Sequence, residues 1–291
     1  MLITWLLLVI PNLPAFGRGP AEGLPSSRKA QEHLLLTGRL GNIRSVAQGV
    51  TDSKRVTLSS DKLVHDAHVQ TVDINEKVHR GTQGVHFNFR DSYRHNIDAY
   101  RLDRMLDLGM VPVSVERRWR GEPSSFTWWI GGVAFSEGER LRKGIDPPDA
   151  ETWNWQVFVQ RVFNQLIYNA DRNPENLLIT DGWRMWLIDH IRAFLRDKSL
   201  SQPEVLSRCD RQLLARLRKM ERKDVDRELG PYLRKSQLAG LLARRDRVLQ
   251  IFEEEIERRG EIKAGGGRRC LAIFDDDQRR DRPQPPSSNP S

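Results

Sequence analysis

The sequence contains little cysteine and no hydrophobic run long enough to cross a membrane. Its two cysteines, Cys209 and Cys270, have no second cysteine or histidine nearby at the spacing of a zinc site, and two thiols cannot form a disulfide framework. The longest apolar run, at the N-terminus, has about ten residues, roughly half of what a transmembrane helix needs. With 38% hydrophobic and 30% charged residues, the chain has the composition of a globular protein with a core.

The N-terminal segment "MLITWLLLVIPNLPAFG" has features of a secretory signal. An apolar run precedes two prolines and the small-residue exit Ala15-Phe16-Gly17, although no Lys or Arg comes before the run. We therefore expect residues 1–17 to be a signal peptide and the protein to be periplasmic or secreted. The alternatives are a buried strand or a misassigned start codon, in which case we expect a cytoplasmic protein.

The chain is basic, but its charges are mixed. The formal net charge is +8 and the pI about 9.8, a balance that can indicate nucleic-acid binding. However, the arginines alternate with acidic residues, as in "RRDRVLQIFEEEIERR", a pattern typical of a solvated helix face. Nucleic acid is therefore not the expected partner.

Secondary-structure patterns divide the chain into two unlike parts. We predict a linker with a short amphipathic helix over 18–42, then short strands and one helix, "DSYRHNIDAYRLDRMLDLG", over 43–135. Within this part, 79–84 reads as a Gly-containing loop, and the helix is expected to start on an Asp or Ser cap and to stop at Gly109. Residues 136–262 are mainly helical, and the basic, Pro-rich end, 263–291, has the composition of a disordered tail. The prediction is an α+β protein with two lobes.

The spacing of three polar side chains in the second part indicates a shared site. Asp171 and Asn176 lie in "NADRNPENLLI", between a long helix and a hairpin that turns at Asp181-Gly182, and Asp189 follows the second strand of that hairpin. Because the strands pair, Asn176 and Asp189 should meet and offer the oxygen ligands that Mg²⁺ prefers. Asp171 would face the same space and accept a proton from a hydroxyl group, and the neighbouring Arg172 could bind a phosphate or a carboxylate.

These motifs resemble a known superfamily. "DRNPENLLI" followed by "LIDH" is similar to the catalytic loop and metal-binding strand of protein-kinase-like proteins, and the wording is closest to the atypical branch. That branch contains phosphatidylinositol 3/4-kinase-like, HipA-like and secreted casein-kinase-like proteins. The resemblance implies a two-lobed fold, with a small antiparallel sheet and one inserted helix in the N-lobe and a mainly helical C-lobe. It also implies Asp171 as the catalytic Asp and Asn176 and Asp189 as the metal ligands, with ATP and Mg²⁺ (or Mn²⁺) as cofactors.

The N-lobe departs from the pattern of that superfamily. The strand Lys that holds the phosphates falls on Gln70, and the helix Glu that positions this Lys falls on Asn96, so that two neutral amides replace an ion pair. Lys77, Arg90 or Arg94 could supply the missing charge. Trp128 and Trp129 could line an adenine pocket, although strand alternation directs one of them to the core.

Two functions fit this sequence best. One is an ATP-dependent phosphotransferase that acts on a hydroxyl group of a protein, a lipid or a small molecule; the other is a pseudokinase that binds nucleotide, or acts as a scaffold, without turnover. A metal-dependent hydrolase is a third alternative. Taken one by one, the polar residues also have structural explanations: Asp171 as a surface residue, Asn176 as a turn residue and Asp189 as a partner of Arg192.

Overall fold

The structure is a computed structural model that describes residues 27–46, 53–61, 63–81, 84–169, 172–264 and 273–274. Side chains are described within these ranges except at 76–89 and 259–274. The predicted signal peptide and most of the predicted tail therefore lie outside the described residues.

The first part of the chain consists of helices α1 and α2 and strands β1 to β7. Their bounds are α1 Arg28–Thr37, β1 Arg39–Ser45, β2 Lys54–Ser59, β3 Val64–Gln70, β4 Asp73–Gly81, β5 Gly84–Ser92, α2 Arg94–Leu106, β6 Ser114–Trp119 and β7 Glu122–Trp128. Helix α1 is the predicted short helix, and it starts where the Oγ of Ser27 accepts a hydrogen bond from the N–H of Ala30.

Five of these strands form one antiparallel sheet in the order β1-β2-β3-β7-β6. Strands β4 and β5 form a separate hairpin between β3 and α2. This hairpin differs from the prediction, because the segment interpreted as a loop over 79–84 is strand up to Gly81 and again from Gly84. Gly81 and Gly84 are directly opposite each other in the pairing of the two strands.

The two faces of the five-stranded sheet have opposite character. One face is apolar and joins the core with Leu34 and Leu35 of α1; it carries Val56, Leu58, Ala67, Val69, Phe126 and Trp128. The strand register places polar side chains on the other face, namely Arg55, Thr57, Asp66, His68, Gln70, Ser125 and Thr127. Because side chains alternate along each strand, the polar set shares one face, and Gln70 at the end of β3 contacts Asn96 of α2.

Helix α2 ends earlier than predicted. Its N-cap is Tyr93, which makes no side-chain capping bond, and its last residue is Leu106. Asp107 takes the left-handed conformation with φ of 47°, and Gly109 follows with φ of 69°. The prediction of a stop at Gly109 was therefore two residues late, because an Asp can also adopt this conformation.

The second part of the chain is mainly helical around a small three-stranded sheet, in the order β10-β9-β8. Its elements are β8 Val133–Ser136, α3 Glu137–Lys143, α4 Ala150–Ile167, β9 Leu177–Thr180, β10 Met185–Leu187, β11 Cys209–Asp210, α5 Arg211–Lys219, α6 Arg222–Leu229, α7 Lys235–Ala264 and β12 Ile273–Phe274. No helix in the described ranges has both the length and the apolar character to cross a membrane. The predicted α+β class is confirmed.

Candidate active site at the lobe junction

The β9–β10 hairpin brings Asn176 next to Asp189. Leu177 pairs with Leu187, and the N–H of Ile188 donates to the carbonyl oxygen of Asn176 at 3.0 Å. Asp189 comes next and has φ of 55°, a left-handed conformation that is uncommon outside glycine but that Asp adopts more readily than most residues. The two polar residues thus stand at the same end of one hairpin, as the sequence predicted.

Arg172 holds this loop together from inside. Its Nη1 donates to the carbonyl oxygens of Ile188 at 2.9 Å and Asn176 at 3.4 Å, and its Nε donates to Asn164 Oδ1 at 3.3 Å. With the amide oxygen of Asn169 turned towards it, Nη2 donates to that oxygen at 2.8 Å. Burial lowers the pKa of Arg172 to about 10, and the nearby Asp189 carboxylate acts in the opposite direction. The guanidinium group therefore joins the end of α4, the loop and β10.

Two features suit Asp189 to a metal ion. The residue is exposed, yet the surrounding protein desolvates its carboxyl group and raises its pKa. The cations of Arg172 and Arg192 act against this effect, and the buried Asp91 adds to it. A carboxylate that has lost part of its hydration gains from a cation, so the oxygens of Asp189 and Asn176 fit a hard divalent ion. No cluster of three His, Cys, Asp or Glu residues forms a metal site among the described residues.

The two amides predicted to replace the ion pair contact each other. Gln70 and Asn96 are buried, and Asn96 Nδ2 donates to Gln70 Oε1 at 2.8 Å. Asn96 Oδ1 accepts from the N–H of His190 at 2.8 Å. Because that N–H can only donate, it fixes the orientation of Asn96 and, through it, of Gln70. Asn96 thus connects strand β3, helix α2 and the segment after Asp189.

Helix α2 is also attached to this segment by residues that the sequence analysis missed. His95 Nδ1 donates to the carbonyl oxygen of Ile191 at 2.7 Å, and His95 Nε2 accepts from Gln237 Nε2 at 3.3 Å. Gln237, on α7, also donates to the carbonyl oxygen of Phe194 and accepts from Arg90 Nη1, both at 2.8 Å. Burial is the main cause that lowers the pKa of His95 to about 4. No local sequence motif marks these partners, since they come from distant parts of the chain.

The two tryptophans lie on opposite faces of the sheet. Trp128 is buried on the apolar face, where its ring stacks on His65 with the ring centroids 3.7 Å apart. Trp129 lies beside the polar face: its N–H donates to the carbonyl oxygen of Asp66 and its ring contacts the Arg55 guanidinium group, 4.2 Å from the ring centroid. Trp129 is therefore on the side of the sheet that carries Gln70.

Two of the predicted residues are not described. Asp171 lies in the gap at 170–171, and Lys77 lies in β4 at a position whose side chain is outside the described set. Their roles as catalytic base and phosphate ligand stay predictions. Asn169 and Arg172, on either side of this gap, contact each other, and Arg172 donates to the carbonyl oxygens of Asn176 and Ile188.

Comparison with known proteins finds matches by structure and none by sequence. No family model matches the sequence, and no curated protein sequence matches it. Among solved structures, hydra Fam20, determined with sugar, has 13% identity and a TM-score of 0.54 over 78% of this chain and 87% of that one.

Two structures of the Golgi casein kinase have 11% identity and a TM-score of 0.55. One covers 80% of this chain and 76% of that protein; the other, determined with Mn and ADP bound, covers 77% and 74%. At this level of identity the likeness concerns the fold. The described chain therefore has an atypical protein-kinase-like fold of the kind found in Fam20 and the Golgi casein kinase.

Proposed function

We propose that this protein is an atypical kinase-like phosphotransferase that binds ATP and a divalent cation between its lobes. The observation that carries the proposal is the hairpin that joins Asn176 to Asp189, facing the sheet through the Gln70–Asn96–His190 hydrogen bonds. The kinase-like fold supports it, as does a structural neighbour determined with Mn and ADP. The acceptor is a hydroxyl group on a protein, a lipid or a small molecule.

Each residue at the junction has a task in this proposal. Asn176 and Asp189 would hold the divalent cation, Mg²⁺ or Mn²⁺, which neutralises charge on the nucleotide phosphates when it is bound. Asp171 would accept the proton of the acceptor hydroxyl group. Arg172 holds the loop against the hairpin through its hydrogen bonds to the Asn176 and Ile188 carbonyl groups. Trp129, beside the polar face of the sheet, would contact the base.

The amide pair favours a second candidate, a pseudokinase. Gln70 and Asn96 satisfy each other by a hydrogen bond but bring no positive charge to the phosphates. Under this alternative the protein binds nucleotide, or acts only as a scaffold, and does not transfer the phosphoryl group. The single difference between the candidates is transfer of the γ-phosphoryl group.

Two measurements test the proposal. A thermal-shift titration with ATP and ADP, each with and without Mg²⁺ or Mn²⁺, should show stabilisation that depends on the metal. Transfer of label from γ-phosphate-labelled ATP to water, to the protein itself or to a mixture of acceptors should then be lost in Asp171→Ala. Binding without transfer would favour the pseudokinase, and the absence of metal-dependent binding would contradict both.

A further inference from the structure

The two amides at the Lys and Glu positions bring no positive charge to the proposed nucleotide site. Gln70 and Asn96 are neutral, whereas ADP and ATP carry several negative charges, only part of which one divalent ion can balance. A phosphate-binding site that lacks its strand Lys needs a cation from another element. The inference below rests on the proposed function and identifies that cation.

Two of the three cations considered from the sequence, Arg90 and Arg94, are bound elsewhere, and the side chain of the third, Lys77, is outside the described set. Arg90 Nη1 donates to Gln237 Oε1 on α7 at 2.8 Å. Arg94 Nε donates to the Tyr93 hydroxyl oxygen at 3.2 Å, and its Nη2 lies 3.8 Å from Asp73. Both guanidinium groups thus support the base of α2.

Two cations act electrostatically on Asp189, namely Arg172 and Arg192. Arg172 is deep in the loop and donates to backbone carbonyl groups. Arg192 differs, because its side chain is 37% exposed and its Nε lies 2.9 Å from Asp91 Oδ1. Of these two cations, Arg192 is therefore the one that a ligand can reach from solvent.

The backbone fixes Arg192 beside Asp189. The N–H of Ala193 donates to the His190 carbonyl oxygen at 2.9 Å, which closes a turn with Arg192 at its third position. The Ile191 carbonyl oxygen accepts from the N–H of Ser92 at 3.0 Å and from His95 at 2.7 Å, which ties this turn to the start of α2. Asp189 thus directly precedes an anchored turn, and Arg192 lies within it.

Arg192 forms an ion pair with the buried carboxylate of Asp91. The Asp91 side chain is only 6% exposed, so its charge is directed at its partner rather than at bulk solvent. Such a pair can keep the guanidinium group in place before a ligand arrives. We propose that Arg192, held by Asp91, is the residue that binds the phosphates of the nucleotide in place of the absent strand Lys.

The test compares ligands with and without phosphate. Titration calorimetry of wild type and Arg192→Gln with ADP plus Mn²⁺ and with adenosine should show about tenfold weaker binding of ADP in the variant, the value of one charge-assisted hydrogen bond, and unchanged binding of adenosine. Arg192→Lys, which keeps the charge, should retain most of the ADP affinity. Arg218→Gln is the matched control, because Arg218 is also half-exposed and lies 3.1 Å from a carboxylate, that of Glu253.

A second variant adds the charge back at another place. In Arg192→Gln combined with Gln70→Lys, the new Lys should recover ADP affinity if the loss is one of positive charge near the phosphates. Unchanged ADP binding in Arg192→Gln, or an equal loss for ADP and adenosine, would overturn the inference and leave the proposed function standing. Failure of wild type to bind ADP with Mn²⁺ would instead overturn the proposed function.

Discussion

The two sides of the lobe junction differ in charge. The hairpin side has Asp189, Asn176 and the buried Arg172, and carboxyl and guanidinium groups dominate its electrostatics. The sheet side meets it with Gln70 and Asn96, which are buried and hydrogen-bonded to each other. The comparison shows that neutral amides make the contact between Gln70 and α2, whereas charged groups surround the hairpin end. Four predictions test this difference, given in order of decreasing size.

Asp189→Asn should have the largest effect. It removes the one carboxylate that the hairpin side offers to the metal, so we expect phosphoryl transfer to fall by about 10³-fold, and metal-dependent stabilisation by ADP to be lost, because an amide cannot replace its charge. Label transfer and thermal shift measure this. Asp181→Asn, at the opposite end of the same hairpin, is the control and should behave as wild type; an active Asp189→Asn would contradict the assignment.

The second-largest effect is expected from acid, which should weaken the attachment of α2. His95 is neutral in the fold with a pKa of about 4, whereas the unfolded chain takes up the proton near pH 6.5. The unfolded state therefore binds more protons below pH 6.5, and the free energy of unfolding should fall by about 3 kcal/mol between pH 6.5 and 4 on account of this residue.

Urea unfolding of wild type and His95→Gln across this pH range isolates the effect. The stability difference between the two proteins should change by that amount, with the variant gaining relative to wild type as the pH falls. His33→Gln, on the exposed side of α1, should show no such change. A constant difference would show that His95 does not carry the pH dependence.

Asn96→Leu should remove the hydrogen bonds that connect the sheet side to the hairpin side. The N–H of His190 loses its acceptor and Gln70 loses its donor, which should cost about 1–3 kcal/mol in the free energy of unfolding. Asn96→Asp keeps an acceptor for His190, and Gln70 can turn its amide group to donate to it. We expect this variant to retain nucleotide binding better than Asn96→Leu in calorimetry; equal binding by both would mean that the connection is not needed.

Gln70→Lys should have the smallest effect and tests the charge difference directly. A cation on the sheet side should raise ADP affinity about tenfold in the presence of Mn²⁺. Gln70→Met, of similar length and without charge or donor, is the control. If the Lys variant binds ADP no better than wild type, the sheet side is not limited by its charge.

The sequence allowed the hairpin side to be predicted better than the sheet side. Asn176 and Asp189 meet through a short hairpin, whose pairing follows from the local pattern and an Asp-Gly turn. Whether Trp128 or Trp129 faces the site depends on the register of β7 against β3, which joins residues about 60 positions apart. The sequence offers Arg192 as a partner of Asp189, whereas in the structure its Nε donates to Asp91, 101 residues away. Such long-range contacts leave no local pattern.

Gln237 connects three parts of the junction, which should therefore open together. This one amide group serves Arg90 on β5, His95 on α2 and the Phe194 carbonyl group, while its own backbone lies in the first turn of α7. Fraying of that turn would release all three partners together. In hydrogen exchange, the amide protons of the α7 start, the base of α2 and the 190–194 turn should therefore exchange as a single cooperative unit, with one shared opening free energy.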